Sequence, residues 1–67
     1  MNVKVNADKA YDDEGNEIEI QPGSPGKYVG QIGRRIKVLF FFNSGRYETY
    51  EVPMEFVLNA DTCRRIT

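Results

Sequence analysis

The sequence predicts a single, small all-β domain made of about five strongly bent antiparallel strands. Three observations lead to this prediction. Apolar residues recur at spacing two, as in residues 17–20 (EIEI), whereas no segment shows the spacing of an amphipathic helix. Glycine, proline and asparagine interrupt these segments at short intervals. The 67 residues can form one hydrophobic core, since a domain of this size buries only about 60% of its unfolded surface.

The N-terminal part of the chain predicts a strand and a hairpin. Residues 3–5 begin a strand that continues irregularly toward Tyr11. Residues 12–16 (DDEGN) form a turn in which Gly15 takes the positive φ of a three-residue hairpin loop. Residues 17–20 return as a strand, and its two isoleucines point inward because they alternate with glutamates.

The middle of the chain predicts a loop followed by two strands. Residues 21–27 (QPGSPGK) are interpreted as a loop because proline and glycine dominate them. Residues 28–32 form a strand that bends at Gly30, and residues 33–35 (GRR) form a tight basic turn. Residues 36–42 (IKVLFFF) form the longest strand of the domain.

The C-terminal part predicts the second half of a hairpin and two short closing segments. Residues 43–45 (NSG) form the hairpin loop, and residues 46–52 return as its second strand. Pro53 ends that strand because proline has no N–H to donate to the ladder. Residues 55–58 and 62–66 close the domain as short strands or single helical turns.

The register of the central hairpin follows from its loop. If Gly45 is left-handed in a three-residue loop, Phe42 faces Arg46 across the hairpin. A two-residue loop would instead carry Glu51 into the core, and burying an unpaired carboxylate costs more than a turn preference returns. We therefore expect one face that forms the core (Ile36, Val38, Phe40, Tyr50 and Val52) and an opposite face of mixed character (Lys37, Leu39, Phe41, Tyr47, Thr49 and Glu51).

Three side chains of the opposite face form a second apolar surface, which we call the aromatic face: Leu39, Phe41 and Tyr47. Two interpretations of it are open. The N-terminal segment covers it, through Val3, Val5 or Tyr11, or it is a surface for a partner or a second copy of the chain. Contiguous apolar patches exposed on soluble monomers usually mark interaction sites.

Charge is distributed unevenly along the chain, whose formal net charge is −1. Residues 1–26 carry two basic and six acidic side chains, a net charge of −4. Residues 27–67 carry seven basic and four acidic side chains, a net charge of +3. The polarity is explained either by attraction between the two halves or by a partner that recognises it.

The composition argues against catalysis. The chain has no histidine, the usual general base and metal ligand, so nothing of that kind can activate its one cysteine, Cys63. We expect no enzyme activity, no metal or other cofactor and no small-molecule substrate. The longest apolar run, residues 38–42, is far shorter than the roughly 20 residues of a membrane span. Together with the lack of a possible internal disulfide, this predicts a cytoplasmic protein that does not enter a membrane.

A basic turn offers a second binding chemistry. Arg34 and Arg35 lie on the predicted turn, beside Lys37 and near Tyr28. Cationic side chains next to an aromatic ring can grip phosphate and stack on a base. The alternative is a solvated turn that pairs with the acidic hairpin.

Residues 18–58 resemble the KOW-type version of the small SH3-like barrel. The shared pattern is a short strand, a Gly-Pro loop, a glycine-bent step, a long strand and a returning hairpin: residues 18–20, 22–26, 30–32, 34–42 and 47–57. Phe42, Gly45 and Arg46 also resemble the hairpin of transcription-elongation KOW domains. KOW domains bind RNA, ribosomal proteins or RNA polymerase, so the resemblance implies a small SH3-like barrel that acts as an adaptor.

Two function classes follow from these observations. The first is a non-catalytic adaptor or inhibitor that binds another protein, or a second copy of itself, through the aromatic face and its charged surfaces. The alternative is an RNA- or DNA-binding module that uses Tyr28, Arg34, Arg35 and Lys37. A domain of this size also fits a small regulatory product of a phage or mobile element.

Overall fold

The computed structural model describes residues 1–66 as one antiparallel sheet of seven strands, which confirms the all-β prediction. The strands follow each other across the sheet in the order β3-β2-β6-β5-β4-β1-β7. Their bounds are β1 (Asn2–Val5), β2 (Lys9–Tyr11), β3 (Glu17–Glu19), β4 (Ser24–Ile32), β5 (Arg35–Phe41), β6 (Tyr47–Pro53) and β7 (Val57–Asn59). The predicted count of about five strands was therefore too low. β3 and β7 are the two edge strands. Within the described residues they do not pair with each other, so the sheet is not closed into a barrel.

The core lies on one side of the sheet, and every strand except β3 and β4 supplies a buried apolar side chain to it. Among residues 1–66, every buried side chain is apolar, so the core has no buried polar side chain to satisfy. Residue Phe40 is the largest of them. The full set is Val3, Val5, Ala10, Ile20, Ile36, Val38, Phe40, Val52 and Val57.

The central hairpin has the predicted register. Gly45 has a φ of 81°, and the amide of Phe42 donates to the carbonyl of Arg46 over 2.9 Å. Phe41 pairs with Tyr47, and Lys37 pairs with Glu51. The positive φ of Gly15, 83°, likewise confirms the turn predicted between β2 and β3. Arg35 belongs to β5 and not to the preceding turn, which is shorter by one residue than predicted.

The interpretation of residues 21–27 as a loop was wrong in its second half, because β4 begins at Ser24. Pro25 lies opposite Lys4 of β1, and the β4–β5 pairing begins only at Gly26, so the missing N–H of the proline interrupts no pair with β5. Gly26 is a packing requirement. A Cβ at this position would lie 2.5 Å from Val38 Cγ1 and 2.8 Å from the carbonyl oxygen of Leu39. Pro25 and Gly26 are typical of loops, but here they lie in a strand, and Gly26 allows β4 to approach β5 closely.

The N-terminal segment forms two strands at distant places in the sheet, and not one irregular strand. β1 lies between β4 and β7, where Val5 pairs with both Ser24 and Val57. β2 pairs with β3 on one side and, through Tyr11, with Glu51 of β6 on the other. Between them the chain crosses from one part of the sheet to the other.

The C-terminal segment returns to the sheet edge. Pro53 ends β6 as predicted, and a single 3₁₀ turn, Met54–Phe56, leads into β7. An isolated bridge between Leu58 and Arg65 covers part of the β7 edge. No helix in the described part of the chain is long and apolar enough to cross a membrane.

Candidate protein-binding face

The aromatic face lies on the outer side of the β5–β6 hairpin. The rings of Phe41 and Tyr47 meet edge to face, with 5.3 Å between centroids and an interplanar angle of 89°. Phe41 is 38% exposed and Tyr47 is 66% exposed, whereas Leu39 is half-buried. The pair is therefore ordered by its own contact while its rings remain open to solvent.

The other aromatic side chains of the hairpin point inward. Phe40 and Phe42 pack around Tyr50 in a three-ring cluster, with centroid distances of 6.1 Å from Phe40 and 6.3 Å from Phe42 to Tyr50. Alternation along β5 thus divides the run of large apolar residues between the two sides of the sheet. The core uses one side, and the aromatic face occupies the other.

The three N-terminal residues that could have covered the aromatic face lie elsewhere. Val3 and Val5 are buried in the core on the opposite side of the sheet. The ring of Tyr11 lies 5.1 Å beneath the guanidinium carbon of Arg35, at the other end of the hairpin. Consequently none of them lies on the Phe41–Tyr47 pair.

Three residues that sequence reasoning missed border the aromatic face. Lys27 lies opposite Leu39 on β4, and Lys4 lies opposite Pro25 on β1, so both lysines point to the outer side. Pro25 and Phe41 line a groove of about 500 Å³ between β5 and the segment that leads into β4. Recognising residues 24–27 as a strand would have placed Pro25 and Lys27 on this side, but not Lys4, which lies on β1.

A polar network holds the residues beside the hairpin loop. Arg46 Nη2 lies 3.0 Å from Glu48 Oε1, and the Tyr50 hydroxyl donates a hydrogen bond to Glu48 Oε2. That hydrogen bond lowers the pKa of Glu48 and raises the pKa of Tyr50. The guanidinium of Arg46 also lies 5.9 Å from the ring centroid of Phe42. These contacts therefore lie on the core side of the hairpin, opposite the aromatic face.

The acidic turn, residues 12–16, lies beside β6. Asp12 Oδ1 accepts hydrogen bonds from the backbone amides of Glu14 (2.9 Å) and Asn16 (2.8 Å), which close the turn. The Asn16 amide is the main reason that the pKa of Asp12 lies below its usual value. Asp13 Oδ1 lies 3.8 Å from Lys37 Nζ, so the turn also contacts the central hairpin.

The four residues of the candidate nucleic-acid site are divided between the two sides of the sheet. Tyr28 pairs with the buried Val38 and packs against the core, whereas Lys37 points outward. Arg35 lies 3.9 Å from Glu51 and above the ring of Tyr11, so its charge is already matched within the fold. Arg34 is exposed on the turn.

Cys63 is exposed, with a φ of 60°, on the C-terminal turn. Within residues 1–66, no three His, Cys, Asp or Glu side chains come together in a group that could hold a metal ion.

No protein-family model, curated protein or solved structure matches this chain. Its function is therefore inferred from its own residues.

Proposed function

We propose that this protein is a non-catalytic adaptor or inhibitor that binds another protein, or a second copy of itself, through the aromatic face. The observation that carries the proposal is the exposed, edge-to-face pair of Phe41 and Tyr47, on the side of the sheet that the core does not use. Tyrosine and other aromatic residues dominate the binding energy of protein interfaces because they bury a large area at a small cost in conformational entropy.

The surroundings of this pair support a protein partner. Other large apolar residues are exposed, including Val29 and Ile32, but they lie at the bulge and at the turn end of β4. Only on the aromatic face do two exposed rings contact each other among the described residues. The neighbouring lysines, Lys4 and Lys27, add a polar rim, which is the usual anatomy of an interface.

We also infer that the fold is an enlarged relative of the SH3-like barrel of the KOW type. Strands β3 to β7 follow the order in which that pattern was found along the sequence, and β1 and β2 extend it. Amide contacts between β3 and β7 in solution NMR would support a closed barrel. An edge of β3 that exchanges its amides freely, with no contact to β7, would contradict it.

Capture from a cell lysate tests the proposed function. The immobilised protein should retain a protein partner after nuclease treatment and at moderate salt, because an interface centred on aromatic side chains depends little on ionic strength. Capture that disappears with nuclease would instead support the alternative of nucleic-acid binding. So would a binding constant whose logarithm falls steeply with the logarithm of the salt concentration, with a slope of about one per phosphate contact.

A further inference from the structure

We propose that the aromatic face binds a second copy of this chain and forms a symmetric dimer. The inference rests on the proposed function, since it names the partner of the same face. Its basis is the distribution of charge on the two sides of the Phe41–Tyr47 pair.

Carboxylates flank the aromatic face on the β6 side. The pairing of Tyr11 with Glu51 brings the acidic turn alongside β6, and Asp13 lies 3.8 Å from Lys37 of β5. The side chain of Asp13 is 82% exposed in spite of that contact, and Glu14 is exposed beside it. This side of the face therefore presents negative charge to solvent.

Lysines flank the aromatic face on the β4 side. Lys27 neighbours Leu39 across the β4–β5 pair, and Lys4 neighbours Pro25 across the β1–β4 pair. Both lysines are exposed, and within residues 1–66 neither lies at ion-pair distance from a carboxylate. This side therefore presents positive charge that the described fold does not use.

The order of acidic turn, aromatic pair and lysines is self-complementary. Consider a twofold axis that lies in the interface, parallel to the strands and over the boundary between β5 and β6. It places the acidic turn of each copy opposite the lysines of the other. The same operation brings the two aromatic pairs together at the centre, as an isologous interface requires. The net charge of −1 adds little repulsion between the copies.

A second copy fits this arrangement better than a partner of one charge sign. An acidic peptide or a nucleic acid would match Lys4 and Lys27 but would meet the carboxylates of Asp13 and Glu14. A basic peptide would match these carboxylates but would be repelled by the two lysines. The chain itself carries both signs at the required places.

Sedimentation equilibrium across micromolar to submillimolar concentrations tests the dimer. The parent protein should show a concentration-dependent monomer–dimer equilibrium, and Phe41→Ala should weaken the association by at least about 30-fold. Ile32→Ala removes an apolar side chain that is also exposed (55%), at the turn end of β4, and should leave the association unchanged. A parent protein that stays monomeric throughout, or a Phe41→Ala variant that dimerises as tightly as the parent, would overturn the proposal.

A charge exchange tests the pairing of the two flanks. The double variants Lys4→Glu/Lys27→Glu and Asp13→Lys/Glu14→Lys should each be monomeric, because like charges then meet at both contacts. Their equimolar mixture should form a heterodimer, because both contacts are restored. Circular dichroism establishes that each variant is folded. A mixture as monomeric as its two components would refute the proposed orientation of the copies.

The dimer and the proposed function fail in different ways. A monomeric parent that still captures another protein, and loses it on Phe41→Ala, overturns the dimer and leaves the proposed function standing. A monomeric parent that captures nothing contradicts both.

Discussion

At the scale of single residues, the face to which a side chain points decides its role. Phe40 is 1% exposed and joins the core, whereas its neighbour Phe41 is exposed on the other side of the same strand. The run of large apolar residues at 39–42 is explained because the strand serves two surfaces at once. The same alternation places Lys27 beside the aromatic face and Gly26 in the core.

The packing at Gly26 predicts a destabilised variant. Gly26→Ala would place a Cβ against Val38 and the Leu39 carbonyl, so the free energy of unfolding should fall by about 1–3 kcal/mol. Gly30→Ala is the matched control, because a Cβ there meets no atom within 4 Å. Urea unfolding should leave this control within about 1 kcal/mol of the parent. Equal stability of the two variants would contradict the close approach of β4 and β5.

The acidic turn predicts a dependence of stability on pH. The pKa of Asp12 is lowered in the fold, chiefly by the Asn16 amide, so its contribution to stability is present above the unfolded pKa. This contribution is lost as the pH falls through the folded pKa, that is, from about pH 4 downward. Asp12→Asn keeps an oxygen acceptor but does not titrate. Its urea unfolding should therefore depend less on pH in this range, and an unchanged dependence would contradict the role of the charged carboxylate.

At the scale of elements, the central hairpin could be predicted from the sequence because three independent signals agree there. The loop demands a glycine, the alternation defines a core face, and only one register keeps Glu51 out of the core. The predicted pairs are those observed. Where local chemistry, patterning and burial agree, one sequence is enough to fix the register.

The start of β4 and the path of β1 could not be predicted in the same way. Pro25 and Gly26 have a low strand propensity, and only the close packing against Val38 reveals why they are there. Residues 3–5 carry a strand signal, but β1 pairs with β4 and β7, which are distant in sequence. Tertiary contacts decide both cases, and no local pattern reports them.

The hairpin loop predicts a specific loss of stability. Gly45 has a φ of 81°, which a β-branched residue resists, so Gly45→Val should lower the free energy of unfolding by more than about 1 kcal/mol. Gly45→Asn is the control and should cost less, because asparagine tolerates the left-handed region. Thermal melting measures both. If the valine variant melts like the parent, the loop and its register are not what holds the hairpin.

At the scale of the whole molecule, attraction between the acidic and basic halves of the chain explains little of the charge polarity. Of the four ion pairs among residues 1–66, only Lys37–Asp13 joins residues 1–26 to residues 27–67. Exposed pairs of this kind contribute about 0–1 kcal/mol each. Most charged side chains of the two halves therefore remain able to interact with a partner, which agrees with the proposed interface.

The candidate site was only partly predictable. The sequence located the aromatic face, because the register alone places Leu39, Phe41 and Tyr47 on one side. It could not show that Lys4 borders this face, because β1 reaches it only through long-range pairing with β4. A side chain brought to a site by a distant strand leaves no local signal.

An outward aromatic side chain should matter little to the stability of the monomer. Because Phe41 is 38% exposed, Phe41→Ala should lower the free energy of unfolding of the monomer by about 1–2 kcal/mol. Phe40→Ala is the control from the same strand. Its ring is fully buried, and its loss should cost about 3–5 kcal/mol. Dilute thermal melting separates the two, and equal losses would mean that Phe41 belongs to the core.

The most direct measurement of the central claim is the affinity of Phe41→Ala for the protein captured from nuclease-treated lysate. If the aromatic face is the binding surface, the folded variant should bind that partner at least about 30-fold more weakly than the parent. Ile32→Ala, which removes an exposed apolar side chain outside the face, should bind like the parent. A folded Phe41→Ala protein that retains full affinity would show that the interaction lies elsewhere on the molecule.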